Sequence, residues 1–331
     1  MAQSSKQLDR LKIAVWGVGD HARRNILPAI TASLGTSLAG ITTRDAECLE
    51  TQSDKWGCKA WAYPDEMLSD NNIDVVYIAT PTGLHYDHAK RCLESGRGVL
   101  SEKPLCEHLD QAFELADIAR QKKLLFSVAC GPIYHRQFRQ MQDLLKSGDI
   151  GRIQHISARF GFPHLDPANI RYDPSLGGGA FLDIAFYLLF MSELLVSSPL
   201  ETVESAELEQ ERPFEVDTSG TARLLFSNGV TADAEWGYGM DYINELEVIG
   251  ETGSLFARPA FSKPAHIPAY IDITRDNQVR RLDIEVDNQF VSMLDEFVRA
   301  ANDDDLKTRL LGRALRTQTL LEEVRRAAKL Q

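Results

Sequence analysis

The sequence predicts an α/β protein with two unlike halves: a doubly wound parallel sheet, followed by an α/β domain with a large, mostly antiparallel open sheet. Two observations predict this division. Up to about residue 129, short apolar strands alternate with helical segments. Beyond it, one apolar helix precedes a run of strands joined by hairpin turns such as Ser227-Asn228-Gly229. We therefore assign residues 1–129 to the first domain and residues 130–331 to the second.

Composition limits the kinds of partner. The 331 residues are 44% hydrophobic and carry a net charge of −12, which argues against nucleic acid or an anionic membrane as the main partner. The polar residues 1–10 predict a loose tail rather than a signal peptide, and we expect no membrane span. The five cysteines are scattered and odd in number, so we expect reduced thiols in the cytoplasm and no metal centre.

A glycine-rich turn follows the first predicted strand, residues 11–16. It consists of Gly17, Val18, Gly19, Asp20, His21 and Ala22. Gly-x-Gly-x-x-Ala between a strand and a helix is typical of dinucleotide-binding Rossmann domains. The first glycine permits the tight turn, the second lets the backbone approach a pyrophosphate, and the helix N-terminus attracts the phosphates. We predict that Gly17 to His21 bind a nicotinamide dinucleotide.

The end of the second predicted strand, residues 37–42, indicates which nicotinamide cofactor binds. An NAD site usually has an acidic residue here, bonded to the ribose 2′-hydroxyl. This chain has Thr43 and Arg44 instead, which can donate a hydroxyl and a guanidinium to a 2′-phosphate, and this favours NADP. NAD stays an alternative, because a shift of one or two residues would bring Asp45 to the ribose.

The rest of the first half alternates in the same way. We predict helices at 45–55, 65–68 and 109–122, and strands at 59–63, 73–79, 98–101 and 124–129. After the strand at 73–79, Thr80, Pro81, Leu84 and His85 are predicted to contact the cofactor near its nicotinamide. For His85 the alternative is that it caps and packs its own helix.

The strand at 98–101 ends in Glu102-Lys103-Pro104. Residues at the carboxyl end of a parallel strand face the crevice where open α/β sheets bind ligands. Pro104 prevents the strand from continuing. We predict that Glu102 and Lys103 lie in the cofactor site and that Lys103 is catalytic.

The second half has a different order of elements. We predict helices at 137–147, 180–196, 289–301 and 306–329, and strands at 153–162, 203–211, 218–226, 231–237, 244–249, 254–257 and, in two parts, 271–286. Three glycines, 177–179, precede the second of these helices.

Asp183 and Tyr187 are polar residues in that otherwise apolar helix, and their spacing of four places them on one face. Reduction of a ketone by hydride leaves an alkoxide that must gain a proton. A tyrosine can supply it if a nearby ammonium, here Lys103, lowers its pKa from about 10. Asp183 would fix the lysine or bind substrate hydroxyls. Lys103 as the proton donor is an open alternative, as is a purely structural role for Asp183 and Tyr187.

In order and spacing, the segments 17–22, 79–85, 102–104 and 177–187 resemble the glucose–fructose oxidoreductase, inositol dehydrogenase and rhizopine-catabolism (Gfo/Idh/MocA) family. The resemblance implies a Rossmann domain, a C-terminal sheet that forms homodimers or homotetramers, Lys103 as a catalytic residue and a cis bond before Pro104. Tyr187, where many members have histidine, is similar to the branch with glucose–fructose oxidoreductase, dihydrodiol and xylose dehydrogenases and sugar 3-ketoreductases.

Asn169-Ile170-Arg171-Tyr172 also resembles that branch, which implies that Arg171, Tyr172 and Asp183 bind substrate. The sequence thus predicts an NADP(H)-dependent oxidoreductase acting on a carbohydrate hydroxyl or ketone, with a nucleotide-linked keto sugar preferred. A dehydrogenase of aldoses or trans-dihydrodiols is the close alternative. A catalytically silent NAD(P)-binding sensor and an NAD-dependent glycosidase are alternatives from other classes.

Overall fold

The computed structural model describes residues 10–329 and contains two β-sheets. The first is parallel, with strand order β3-β2-β1-β4-β5-β6. Its strands are β1 (Leu11–Trp16), β2 (Thr36–Thr42), β3 (Lys59–Ala60), β4 (Val75–Ile78), β5 (Gly98–Ser101) and β6 (Phe126–Val128). The polar tail predicted for residues 1–10 lies, apart from Arg10, outside the described residues.

Helices cover the parallel sheet. A π-helical turn, Ala22–Ile26, follows the glycine-rich turn and continues as α1. The helices of this half are α1 (Leu27–Ala32), α2 (Ala46–Trp56), α3 (Pro64–Leu68), α4 (His85–Glu94) and α5 (Leu109–Lys122). The strand order and the alternation are those of a doubly wound Rossmann sheet.

The second sheet has eight strands in the order β14-β13-β12-β11-β7-β10-β9-β8. All neighbouring strands are antiparallel except β7 and β10. The strands are β7 (Ile153–Phe162), β8 (Leu200–Glu209), β9 (Ser219–Phe226), β10 (Thr231–Tyr238), β11 (Ile243–Gly250), β12 (Gly253–Arg258), β13 (Ala269–Arg275) and β14 (Gln278–Ile284). The predicted fold class is confirmed in both halves.

The helices of the second half are α6 (Arg136–Lys146), α7 (Phe186–Val196), α8 (Gln289–Ala300) and α9 (Asp304–Lys329). A second π-helical turn, Phe181–Ala185, leads into α7, which packs on β7 and β10. Alternate residues of β7, such as Ala158 and Phe160, are buried because they face this helix layer.

The helical segment that leads into and includes α7 is unusually apolar. The helical stretch Pro174–Val196 is long and apolar enough to pass a length and composition test for a membrane span. In this fold 83% of its most apolar stretch is buried in the protein. It is therefore the central helix of the core, whose side chains contact protein on nearly every side.

Some predicted strands are longer than the observed ones, because a strand extends only as far as the neighbouring strand pairs with it. The strand predicted at 59–63 is reduced to β3, because only Lys59 and Ala60 lie opposite β2 and Pro64 begins α3.

The cysteines lie apart as free thiols, and within residues 10–329 no group of three or more His, Cys, Asp or Glu side chains could hold a metal ion.

The last two helices contact the first half of the chain. The Ser33 hydroxyl on the α1 side donates to Asp295 of α8 at 2.7 Å, and Gln318 of α9 donates to the carbonyl of Cys106 at 3.0 Å. α9 also packs on α5 and β6. The domain division at residues 129 and 130 stays a prediction, and these contacts cross it.

Candidate active site

A cavity of about 1440 Å³ lies between the carboxyl ends of the parallel strands and the eight-stranded sheet. Its lining includes every predicted cofactor residue and both proposed proton donors, Lys103 and Tyr187. The cofactor residues and Lys103 follow strands β1, β2, β4 and β5 of the first half, and Tyr187 lies in the first turn of α7 in the second. The two halves therefore build the site together.

The glycine-rich turn forms one wall of the cavity. Gly17 has a φ of +94°, and a Cβ there would lie 2.8 Å from the main chain of Ala79, so only glycine fits. A Cβ on Gly19 would meet nothing within 4 Å, because the backbone there opens into the cavity. No side chain caps the π-helical turn that follows. This cradle fits the phosphates of a dinucleotide.

The end of β2 separates the two cofactor hypotheses. The Asp45 carboxylate accepts a hydrogen bond from the Cys48 backbone at 3.0 Å and so caps α2. Arg44 lines the cavity with Thr43 and forms no ion pair within the described residues. At this end the Arg44 guanidinium has no ion-pair partner among the described residues, whereas Asp45, which also lines the cavity, uses one carboxylate oxygen as a helix cap.

Three further residues line the same end and were not predicted from the sequence. The His88 ring stacks on Trp16, with centroids 3.9 Å apart, and the Arg91 guanidinium lies 5.1 Å from the Trp16 ring. Burial, helped by Arg91, lowers the pKa of His88 to about 4, so its ring is neutral near pH 7. No sequence motif marks these residues, because the fold alone brings β1 and α4 together.

Thr80, Pro81 and Leu84 line the cavity as predicted. For His85 the structure supports the packing alternative. Its ring is 1% exposed, and Nδ1 and Nε2 each lie 2.8 Å from a backbone carbonyl oxygen, of Pro104 and Thr80 respectively. His85 thus ties the turn after β4 to the turn after β5, and neither ring nitrogen is left for a cofactor.

Glu102 is the centre of a hydrogen-bonded group at the end of β5. Its carboxylate accepts from the Tyr77 hydroxyl and lies 2.8 Å from Nε2 of His21. Burial opposes ionisation, but His21 and the hydrogen bonds from His21 and Tyr77 lower the pKa of Glu102 to about 2. Glu102 in turn raises the pKa of His21, against the effect of burial. The group links the glycine-rich turn to the strand that carries Lys103.

Lys103 and Asp183 form a partly buried ion pair. The Lys103 Nζ lies 2.8 Å from Oδ1 of Asp183 and 2.6 Å from its backbone oxygen, and the bond to Pro104 is cis. The other carboxylate oxygen of Asp183 accepts from Arg171 at 2.6 Å and from Tyr238 at 3.3 Å. Burial opposes ionisation, but the two cations hold the pKa of Asp183 well below its usual range.

Tyr187 lies beside this pair, and one expectation about it is wrong. The Lys103 Nζ is 4.8 Å from the centroid of the Tyr187 ring, over its face and directed toward Asp183. Burial, with the nearby carboxylates of Glu102 and Asp183, raises the pKa of the Tyr187 hydroxyl well above its usual value. The predicted lowering by Lys103 does not occur, chiefly because burial dominates the pKa of this hydroxyl and also because the Lys103 ammonium is paired with Asp183.

Asp217, which sequence reasoning missed, fixes the segment that carries Asp183 and Tyr187. Its carboxylate accepts from the Phe181 backbone at 2.6 Å, and its backbone oxygen accepts from Ala180 at 2.9 Å. Gly179 has a φ of +114°, and any Cβ there would collide with the Asp217 carboxylate. Burial raises the pKa of Asp217 to about 6.

The two residues of the 170–172 turn have different surroundings. Arg171 lines the cavity and contacts Asp183, in agreement with its predicted place in the site. Tyr172 does not line it: the ring is 7% exposed, stacks on Phe214 at 4.1 Å, and its hydroxyl accepts from the Leu165 backbone. The structure therefore does not bring Tyr172 to the cavity where we predicted it to bind substrate, because adjacent residues of this turn face opposite directions.

The wall opposite the parallel sheet comes from residues without any recognised motif. Phe160 and Phe162 of β7 contribute side chains, and so do the loop at 261–266 and Gln289 and Phe290 at the start of α8. Apolar alternation predicted these elements but not which of their side chains reach the cavity.

Comparisons with known proteins agree with this architecture. Residues 11–130 match the family described as the GFO/IDH/MocA oxidoreductase family with an NAD-binding Rossmann fold, and residues 138–256 match the GFO/IDH/MocA C-terminal domain. A dTDP-3,4-didehydro-2,6-dideoxy-alpha-D-glucose 3-reductase from Actinomadura kijaniata is 31% identical over 96% of this chain and 96% of its own length. The reductase of that name from Streptomyces violaceoruber is 32% identical over 97% of this chain and 96% of its own.

A solved structure is similar over the same length. It is a 3-ketoreductase from Actinomadura kijaniata in complex with NADP and TDP-benzene. The two chains superpose with a TM-score of 0.92 at 30% identity, over 96% of this chain and 98% of that one.

Proposed function

The chain belongs to the GFO/IDH/MocA oxidoreductase family, and within that family we propose that it uses NADPH to reduce the 3-keto group of a dTDP-linked deoxysugar. The observation that carries the proposal is the group of Lys103, Asp183 and Tyr187 beside the glycine-rich turn in one cavity. Full-length likeness to reductases named for such a substrate supports the choice of substrate class.

NADP is the cofactor because of the end of β2. Arg44 is a cation without an ion-pair partner among the described residues, whereas one oxygen of the Asp45 carboxylate is already hydrogen-bonded as a helix cap. A guanidinium suits a 2′-phosphate, whereas a ribose 2′-hydroxyl needs a free carboxylate.

The residues of the site divide the reaction between them. When bound, reduced nicotinamide supplies the hydride that adds to the keto carbon. A lysine ammonium has three N–H donors, and Lys103 gives two of them to Asp183. We assign the third to the keto oxygen, where it stabilises the charge that develops.

Tyr187 is the proton donor in this proposal. Its raised pKa keeps the hydroxyl protonated at neutral pH, as a general acid must be. As the new C–H bond forms, the Tyr187 proton passes to the keto oxygen and leaves an alcohol. Asp183 holds Lys103 in place and is itself held by Arg171 and Tyr238.

The test is an assay of the purified protein with NADPH and a dTDP-linked 3-keto deoxysugar. We expect loss of NADPH fluorescence and, by mass spectrometry, a product heavier by two hydrogens. Turnover of D-xylose with NADP⁺ but not of the nucleotide sugar would reassign the enzyme to the aldose dehydrogenases. Tight NADPH binding without turnover of any sugar would support a silent sensor.

We also propose a homo-oligomer formed through the exposed face of the eight-stranded sheet. Strands β7, β9 and β10 present opposite charges there, with Arg159 2.6 Å from Glu235 and Arg223 2.9 Å from Asp233. Alternating charges of this kind suit a self-complementary twofold interface. Light scattering of the wild type and of Arg223→Glu tests it, and a monomeric wild type would exclude it.

We place the enzyme in the cytoplasm. All five cysteines are free thiols, and Cys92, Cys106 and Cys130 are buried. Burial raises the pKa of the Cys92 thiol, which keeps it protonated. Fractionation of the native host tests the location, and recovery from an oxidising compartment would contradict it.

A further inference from the structure

The loop at 259–268, between β12 and β13, is anchored by hydrogen bonds where it enters the cavity wall. The Asn244 side chain is fully buried and accepts from the backbone of Ala260 at 2.8 Å and of Phe261 at 2.7 Å. It also donates to the carbonyl of Ser262 at 2.8 Å. One asparagine thus fixes three successive residues of the loop.

The fixed part of the loop lies next to the reactive residues. Phe261 is fully buried and stacks on Phe160, with ring centroids 5.8 Å apart. The Phe160 ring is in turn 6.4 Å from that of Tyr187. The residues that follow Phe261, from Ser262 to His266, continue the lining of the cavity.

Lys263 is the charged residue in this part of the wall. It is 4% exposed, and its Nζ donates to the carbonyl of Ala260 at 2.7 Å. Within the described residues Lys263 forms no ion pair. Asp287 attracts its charge, but from beyond ion-pair distance, and the Asp287 carboxylate accepts a hydrogen bond from the Arg136 backbone. Burial lowers the pKa of Lys263 to about 7. A buried lysine nitrogen with one hydrogen bond is incompletely satisfied.

Most other cationic side chains of the cavity do have a carboxylate partner. Seven lysine and arginine side chains line the cavity, and five of them pair with a carboxylate of the chain: Arg23, Arg24, Arg91, Lys103 and Arg171. Arg44 and Lys263 have no such partner among the described residues. Arg44 lies at the end of β2, in the half that carries the cofactor cradle. Lys263 lies on the wall built by the second half, next to the aromatic side chains around Tyr187.

Resting on the function proposed above, we propose that Lys263 binds a phosphate oxygen of the substrate's diphosphate. An anionic ligand would favour the charged form of this amine and would accept the hydrogen bonds that its nitrogen does not make within the protein. Free aldoses and polyols carry no such anion. Lys103, Asp183 and Tyr187 could act on a free or on a nucleotide-linked sugar. The contact with Lys263 would therefore favour binding of the nucleotide-linked sugar.

The test compares ligand binding to Lys263→Met, which keeps the apolar stem, and Lys263→Arg, which keeps the charge. Titrations use dTDP, inorganic pyrophosphate and NADPH. We expect Lys263→Met to weaken dTDP and pyrophosphate about ten- to a hundredfold and NADPH less than about twofold. Lys263→Arg should recover part of the loss. Lys146→Gln, at an exposed position of α6, is the matched control and should change none of these affinities.

Two results would overturn the proposal: unchanged dTDP and pyrophosphate affinity in Lys263→Met, or an equal loss of NADPH affinity, which would assign Lys263 to the cofactor. If Lys263→Met does not fold, reductive methylation of the wild type decides, because dTDP must then protect Lys263. The proposed function fails separately. Wild type that binds pyrophosphate through Lys263 but reduces no dTDP sugar would refute the substrate and keep the anion site.

Discussion

The Lys103 ammonium lies 2.8 Å from the Asp183 carboxylate and 2.6 Å from the Asp183 backbone oxygen, although 80 positions separate the two residues. The pair connects the end of β5 in the parallel sheet to the π-helical turn before α7. It places a cation of the cofactor half against the helix that carries Tyr187.

Lys103→Met should lower kcat for reduction by about a hundredfold or more, since the ammonium that stabilises the developing alkoxide is lost. The loss also leaves Asp183 with Arg171 as its remaining cation. NADPH affinity should change little, which fluorescence titration checks. If the variant kept more than about a tenth of wild-type kcat, Lys103 would not be a catalytic residue.

Tyr187→Phe should lower kcat by about a hundred- to ten-thousandfold with little effect on substrate binding. Burial and nearby carboxylates raise the pKa of Tyr187, and a general acid loses activity only above its own pKa. Wild-type kcat for reduction should therefore not fall as pH rises toward about 10, the ordinary tyrosine pKa. If Tyr187→Phe kept near-normal turnover, the proton donor would be Lys103 and not Tyr187.

Arg44→Met should weaken NADPH binding about ten- to a hundredfold and leave NADH binding unchanged, because only NADPH has a 2′-phosphate. Arg280→Met, on the exposed surface of β14, is the matched control. Parallel titrations with the two cofactors measure the effect. An equal loss for both would mean that Arg44 contacts a part that they share.

Asp217→Asn should change how stability depends on pH. Burial raises the pKa of Asp217 to about 6 in the folded chain, against about 3.9 when unfolded. The folded state thus binds the proton more tightly, so this group stabilises the fold at low pH and loses that contribution as pH rises through about 6.

The free energy of unfolding of Asp217→Asn, relative to wild type, should therefore increase between about pH 4 and pH 7. Urea denaturation across that range measures it. Asp166→Asn, an exposed residue that also accepts a backbone hydrogen bond, should show no such trend. A constant difference for Asp217→Asn would contradict the argument.

Local sequence patterns predict much of the architecture. The glycine-rich turn, the helix at 109–122 and the strand at 153–162 coincide with the structure, because apolar periodicity and turn residues act over a few positions. Chemistry-bearing residues at strand ends, such as Arg44 and Lys103, were predictable for the same reason: parallel strands bring their carboxyl ends to one edge.

What the sequence by itself determined was therefore the order of elements, the cofactor cradle and the identity of Lys103, Asp183 and Tyr187. Only the tertiary structure decided which neighbours each residue meets. It enclosed the Tyr187 hydroxyl and directed Lys103 to Asp183, so that the pKa of Tyr187 is raised and not lowered. It turned Tyr172 away from the cavity and brought Lys263 into its wall. Burial and charge pairing arise between segments far apart in the chain, and no local pattern encodes them.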